Sequence, residues 1–332
     1  MNRWALIALA ACRYNFDPRA DGAPDRPNYA FFTSTYVDST FGDIANADAS
    51  CQAFADAAGL DARFIALVGT QSRDVRARVD GSRGWVDVAG VPIVDQPANW
   101  FDGSMFHPLR RDERNELVGL RDARIGDSFG DCAGWTSNTV LVSSSIVFST
   151  QTFRLDGTTH ECSGQDSLVC IETGHIAAVA VQPQAGRFAF VSAGSFVAGG
   201  GLASADALCA GEAAAAGLPG TYLAALGSSA GAAFSRFSLT GPTWVRPDGI
   251  PLAATAADVA FAPYLDSFAS LHADRSPANY YIWTGDSMNC TDWTTQAGFG
   301  TVGITDSVDR LEWRATMAAS CTVAYPVLCL QQ

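Results

Sequence analysis

Two triplets are the first residues in the chain that could do chemistry. Gly126-Asp127-Ser128 and Gly285-Asp286-Ser287 each set a hydroxyl beside a carboxylate. A serine hydrolase needs that hydroxyl activated by a His, which an acid in turn orients. None of His107, His160, His175 and His272 recurs at the spacing that separates the triplets. Both triplets read as turns, where Gly and Asp supply the geometry, and no enzymatic activity is expected. A hydrolase centred on Ser128 or Ser287 is the third of the functional readings below. The run Gly199-Gly200-Gly201 lacks the Lys and Ser/Thr that follow in a phosphate-binding loop, so it too reads as a turn.

The arginines are the other candidates. Arg73, Arg76, Arg78 and Arg83 cluster in one segment. Arg110, Arg111, Arg114, Arg121 and Arg124 cluster in another, close to Trp100, Phe101, Phe106 and His107. Guanidinium forks suit sulfate and carboxylate groups, and aromatic rings suit sugar or protein surfaces. Trp100, Phe106, Arg110, Arg111, Arg114, Arg73, Arg76 and Arg78 are therefore the expected ligand-binding residues. The bland alternative is a solvated face of mixed charge, because Asp74, Asp80, Asp112, Glu113, Glu116 and Asp122 are interleaved. The formal net charge of −13 repels phosphate backbones, so nucleic acid is excluded as a partner. No cofactor and no metal are expected. The cysteines show no Cys-x-x-Cys pair and are better used as disulfides.

The elements that must position these residues come in two copies. Cys51 and Cys209, Cys132 and Cys290, and Trp135 and Trp293 stand 158 residues apart. Cys162 and Cys321, Cys170 and Cys329, and Trp85 and Trp244 stand 159 apart. Four Cys and two Trp at one offset point to tandem duplication. In the first copy, Tyr29 to Ser34 reads as a strand, Ala45 to Ala58 as a helix and Arg63 to Val68 as a second strand. In the second, Arg187 to Val191 is the strand and Ser204 caps the helix that follows. Gly217 stops that helix, and Tyr222 to Leu226 is the next strand. The recurring Trp85, Trp135, Trp244 and Trp293 read as core residues. The apolar run Ile176 to Val181 at the join is expected to pack, so that the two copies touch.

Arg3, the short apolar run Trp4 to Ala11, and Leu9-Ala10-Ala11-Cys12 resemble a bacterial lipobox. The run is too short to span a bilayer, which takes about 20 residues. The resemblance implies cleavage before Cys12 and its acylation. Residues 13–28 then form a polar, Pro-interrupted tether. Removing Cys12 leaves eight Cys, an even number that reads as a disulfide framework in an exported chain.

Leu202 to Cys209 followed by Ala214 to Leu226, Val91-Pro92-Ile93-Val94, Ile282-Trp283-Thr284-Gly285, and Ser320-Cys321 through Leu328-Cys329 together resemble endostatin, the C-terminal domain of collagen XVIII, and bacterial lipoproteins with endostatin-like domains. The likeness is best in the second copy and departs most at Arg124-Ile125, where the second copy has Trp283-Thr284. It implies an α+β fold of two tandem C-type-lectin-like domains, at 29–173 and 187–332, joined by a short linker at 174–186. Each would be a twisted antiparallel sheet with flanking helices and two nested disulfides. Four Cys allow three pairings; the resemblance selects Cys51–Cys170 around Cys132–Cys162 and Cys209–Cys329 around Cys290–Cys321. Two family metal sites do not carry over. Neither copy has the N-terminal His cluster that holds zinc in endostatin. Gln96-Pro97-Ala98-Asn99 is a broken form of the lectin calcium motif.

The reading that follows is a lipid-anchored protein of the cell envelope, at the outer membrane, held on the membrane by its lipid. Its expected role is non-catalytic, adhesin-like binding of an extracellular protein, matrix or polysaccharide ligand. The second reading is a structural envelope protein whose copies bind only each other or a neighbouring subunit.

Overall fold

The structure is a computed structural model that describes residues 25–127, 130–139, 143–155, 159–278 and 281–332. Cys12, most of the tether and Ser128 lie outside the described residues. The fold is mixed α+β, made of small sheets with few helices.

The first strand, Asn28–Phe32, shows why. Its apolar residues alternate between two sides. Phe31 packs with Phe64, Cys51 and Ala47, while Ala30 and Phe32 face a second cluster with Trp85, Trp100 and Phe153. Buried on both faces, it sits at the centre of a five-stranded sheet ordered Phe64–Ala66, Val169–Glu172, Asn28–Phe32, Trp85–Asp87, Pro92–Val94. The second half repeats the order with Tyr222–Ala224, Leu328–Gln331, Arg187–Val191 and Trp244–Val245.

These sheets are not purely antiparallel, which corrects the expectation. Asn28–Phe32 is antiparallel to Val169–Glu172 but parallel to Trp85–Asp87, and Arg187–Val191 is parallel to Trp244–Val245. A parallel pair needs a long crossover, and the helix with its following strand supplies it in each half. Each half also carries a three-stranded antiparallel sheet: Asp122–Arg124, Ser143–Phe148, Thr159–Glu161 in the first, and Tyr281–Trp283, Phe299–Ile304, Met317–Ser320 in the second.

Helix Ile44–Ala57 is capped by Asp43, whose carboxylate accepts from Asn46 N, and it buries Ile44, Ala47, Cys51 and Ala55 along one stripe. Its counterpart Gly201–Ala215 buries Ala205, Cys209 and Ala213. Ser204 does not cap it. The helix begins earlier, at Gly201, and the Ser204 hydroxyl donates back to the Gly201 carbonyl. Gly217 ends it in the left-handed region, at φ 69°.

Four disulfides join Cys51–Cys170, Cys132–Cys162, Cys209–Cys329 and Cys290–Cys321. The outer pairs close spans of 119 and 120 residues. Chain-entropy arguments put such a closure at about 4–5 kcal/mol. The inner pairs hold an unusual turn. Cys132, Ala133, Gly134 and Trp135 all have φ between 51° and 67°, and Cys290 to Trp293 repeat this. One left-handed turn of L-residues costs roughly 1–2 kcal/mol per residue. The disulfide, the capping side chains of Asp131 and Asn289, and a buried Trp oppose that cost in both halves. The indole of Trp135 donates to Gly69 O and that of Trp293 to Gly227 O, each at 2.9 Å. Trp85 and Trp244 likewise donate to the backbone of the last strand of their half, at Glu172 O and Gln331 O.

The halves touch extensively. A single apolar cluster runs from Met105, Leu109 and Phe153 to Phe234, Leu252 and Trp313. Thr152 N donates to Asp306 O at 2.8 Å and Val308 N to Thr150 O at 2.7 Å. At the join, Val179 is buried and its N–H meets Asp95. Ile176, by contrast, stays exposed.

Candidate functional site

Between the halves lies a cleft of about 330 Å³. The first half gives it Asp87, His107, Arg110, Arg111 and Leu117, and the second gives Leu265 and Asp266. Asp87 ends a core strand, so its carboxylate is held in place: it accepts from Ala89 N and Val91 N and pairs with Arg111 at 3.2 Å. Burial pushes its carboxyl above the usual range. Burial also raises the Asp266 carboxyl and pulls the His107 imidazole below its ordinary value. His107 Nδ1 lies 2.9 Å from the Asp266 carbonyl, across the junction.

Arg110 reaches across the junction. Its guanidinium carbon sits 3.8 Å from the centroid of the Tyr264 ring, which belongs to the second half. Its Nε is buried with no hydrogen-bond partner among the described residues. Burial disfavours its charge. The cleft therefore presents groups of both signs, one stacked cation, and apolar walls. That combination suits a small polar group or a protruding sugar or side chain.

The expected binding residues do not form one patch. Arg110 and Arg111 line the cleft, and Phe106 adjoins it, half-buried, with its carbonyl accepting from Arg246 of the second half. Arg114 is exposed but engaged, close to Glu113 and donating to the Ser34 hydroxyl at 2.6 Å. Arg78 pairs with Asp48 and donates to Ala66 O. Arg76 pairs with Asp74 at 3.1 Å and lines a separate cleft of about 300 Å³ with Thr70, Gln71 and Asp127. Arg73 is exposed. Trp100 is a correction. It is fully buried between Trp85 and Phe153, at ring distances of 5.8 and 5.6 Å, and offers no surface to a ligand. Phe268 is likewise buried.

Asp87 and Asp266 complete the cleft, and Tyr264 stacks on Arg110 in its wall. Tyr264 falls in the part of the second copy that matches the first copy's Arg-rich segment, and that place is its one mark in the sequence. The sequence carried none for Asp87 and Asp266, which burial and the junction bring in. At the second triplet, the Ser287 hydroxyl shares a hydrogen bond with Thr301 Oγ1 at 3.0 Å, and Asp286 pairs with Arg314. Among the described residues no His or carboxylate is hydrogen-bonded to the Ser287 hydroxyl.

No protein-family model matches the chain, and no curated protein matches it.

Proposed function

We propose that this chain is a lipid-anchored protein of the cell envelope, at the outer membrane, built of two tandem C-type-lectin-like units that bind a ligand without catalysis. The ligand is an extracellular protein, matrix component or polysaccharide, and it binds in the cleft between the halves. The observation that carries the reading is Arg110, which lines the cleft from the first half and stacks on Tyr264 of the second. The recurring strand order and the nested disulfides support the lectin-like part of the reading. The lipid anchor rests on Leu9-Ala10-Ala11-Cys12. No helix among the described residues is long and apolar enough to cross a membrane.

The test is a binding screen of the full chain, carrying Cys12→Ser so that it is not acylated, against sulfated and plain glycans and matrix proteins. The expected hit weakens at raised salt and is lost in Arg110→Ala. A hit that ignores both changes overturns the cleft.

A second reading has its own observation. The continuous apolar cluster between the halves fits a structural protein whose copies serve only contacts with each other. Absence of any hit from a folded chain favours that reading.

A further inference from the structure

Away from the cleft, three side chains from separate stretches of the first half converge. Asp122 begins the first strand of the three-stranded sheet, His160 sits on its third strand, and Asp166 belongs to the short strand Gln165–Asp166 just beyond. One ligand atom from each lies within 4.8 Å of the others. His160 Nδ1 is 3.3 Å from Asp122 Oδ2 and 3.7 Å from Asp166 Oδ1. We propose that Asp122, His160 and Asp166 form a binding site for a zinc-class divalent metal ion.

The spacing carries the assignment. Nitrogen and oxygen ligands stand about 2.0–2.2 Å from zinc in a tetrahedral site, which sets the ligand atoms about 3.3–3.6 Å from one another. Two edges fall at that length or just above it, and the third, between the carboxylates, lies within 4.8 Å, so an ion closes the set by drawing the two carboxylates together.

The surroundings fit a second shell. Asp166 is buried and turns its other oxygen, Oδ2, to the guanidinium of Arg124. Arg124 is itself fully buried and fixed by Ser144 Oγ, Gly164 O and Glu161 O. A ligating carboxylate held from behind in this way keeps its free oxygen oriented. Arg124 neutralises one of the two carboxylates, so the cluster keeps one net negative charge for a dication. Asp122 is partly buried and His160 is exposed, which gives the ion a path from solvent. Three protein ligands leave a fourth position to water. The imidazole sets the metal class: calcium and magnesium take oxygen ligands, six or more of them, while imidazole with carboxylate suits zinc, cobalt and nickel.

The second half is the internal control. At the matching positions it has Tyr281, Ala319 and Tyr325, none of which would serve such an ion. One site per chain is therefore expected.

The experiment is calorimetric titration of the untagged full chain, carrying Cys12→Ser to remove its free thiol, with zinc chloride, together with the visible spectrum of the cobalt-loaded protein. The expected results are one zinc per chain, no displacement by excess magnesium or calcium, and cobalt bands of tetrahedral intensity. His160→Ala should weaken zinc binding by about a hundredfold or more, and Asp122→Asn by about ten- to a hundredfold. His175→Ala should leave it unchanged. His175 also stands near two carboxylates, Asp25 and Glu172, and is the natural site of stray binding. No zinc uptake, octahedral cobalt bands, zinc binding unaffected by His160→Ala, or binding lost in His175→Ala would each overturn the assignment. If a variant fails to fold, the imidazole resonances of the parent decide the matter: zinc should shift those of His160 and leave those of His175 in place, and the reverse would overturn the assignment.

Discussion

The two halves share a backbone frame and fill one corner of it in opposite ways. In the first, Arg124 lies fully buried, paired with Asp166 and donating to Ser144 Oγ at 2.5 Å. In the second, the same place holds Trp283, also fully buried, edge-on to Tyr325 at 5.1 Å, with its indole N–H on Phe196 O. The neighbour changes with it. Against the Trp283 ring lies Gly300, where a Cβ would come within 2.7 Å of it; the matching residue in the first half is Ser144, which serves Arg124. One half is therefore held by aromatic packing and the other by a buried ion pair. The lesson is that a duplicated frame can release a corner from packing and leave it polar. The polar corner is also where an acid–imidazole cluster has gathered.

The difference can be broken from either side. The largest effect is expected for Arg124→Met, which strands the buried Asp166 carboxylate and should cost about 3–5 kcal/mol in denaturant unfolding. Adding Asp166→Leu should recover most of that loss, because replacing both partners of a buried pair with apolar groups is near neutral. If the double variant is no better than the single one, the ion pair is not what holds that corner.

On the aromatic side, Gly300→Ala drives a methyl into Trp283 and towards Cys290 Sγ. It should cost about 1–3 kcal/mol, an overpacking effect. Ser144→Gly, the reverse exchange, should cost less, about 0.5–1.5 kcal/mol, for the lost hydrogen bond to Arg124.

The junction titrates. Asp306 of the second half is buried against Arg154 of the first, at 2.9 Å, and burial pushes its carboxyl up to about 6 despite that partner. An acid whose pKa is raised on folding holds more protons folded than unfolded, so stability falls as pH rises through the interval between the two values. The unfolding midpoint should drop between about pH 4 and pH 6, and Asp306→Asn should flatten that limb. A midpoint that rises over the interval in the parent, with no change in the variant, would remove Asp306 from the junction's energetics. The smallest effect belongs to the surface. Arg76→Ala breaks an ion pair with both partners more than half exposed and should stay within about 0.5 kcal/mol.

Much of the frame was legible because the chain carries it twice. Four Cys and two Trp at one offset gave the covalent and aromatic skeleton, and the first strands were readable from their apolar runs. The parallel pairing was not, because alternation along Asn28–Phe32 reports burial and not the direction of a neighbour. Trp100 looked like a surface ring because acidic and basic residues surround it in sequence. In space Trp85 and Phe153 enclose it. The arginines illustrate the same limit. Local acids such as Asp74 and Glu113 were visible, whereas Asp48 and Asp87, which pair with Arg78 and Arg111, come from elsewhere in the chain. Asp122, His160 and Asp166 escaped for a further reason. They have no counterparts at the repeat offset, so a search for recurring residues passes over them.

The most direct test of the binding account is the screen with the parent chain and its Arg110→Ala and Tyr264→Ala variants side by side, since those two residues join the halves across the cleft. The account predicts a salt-sensitive glycan or matrix ligand that both variants lose while their unfolding curves stay close to the parent's. A ligand retained by both variants, or no ligand for a folded parent, would contradict it.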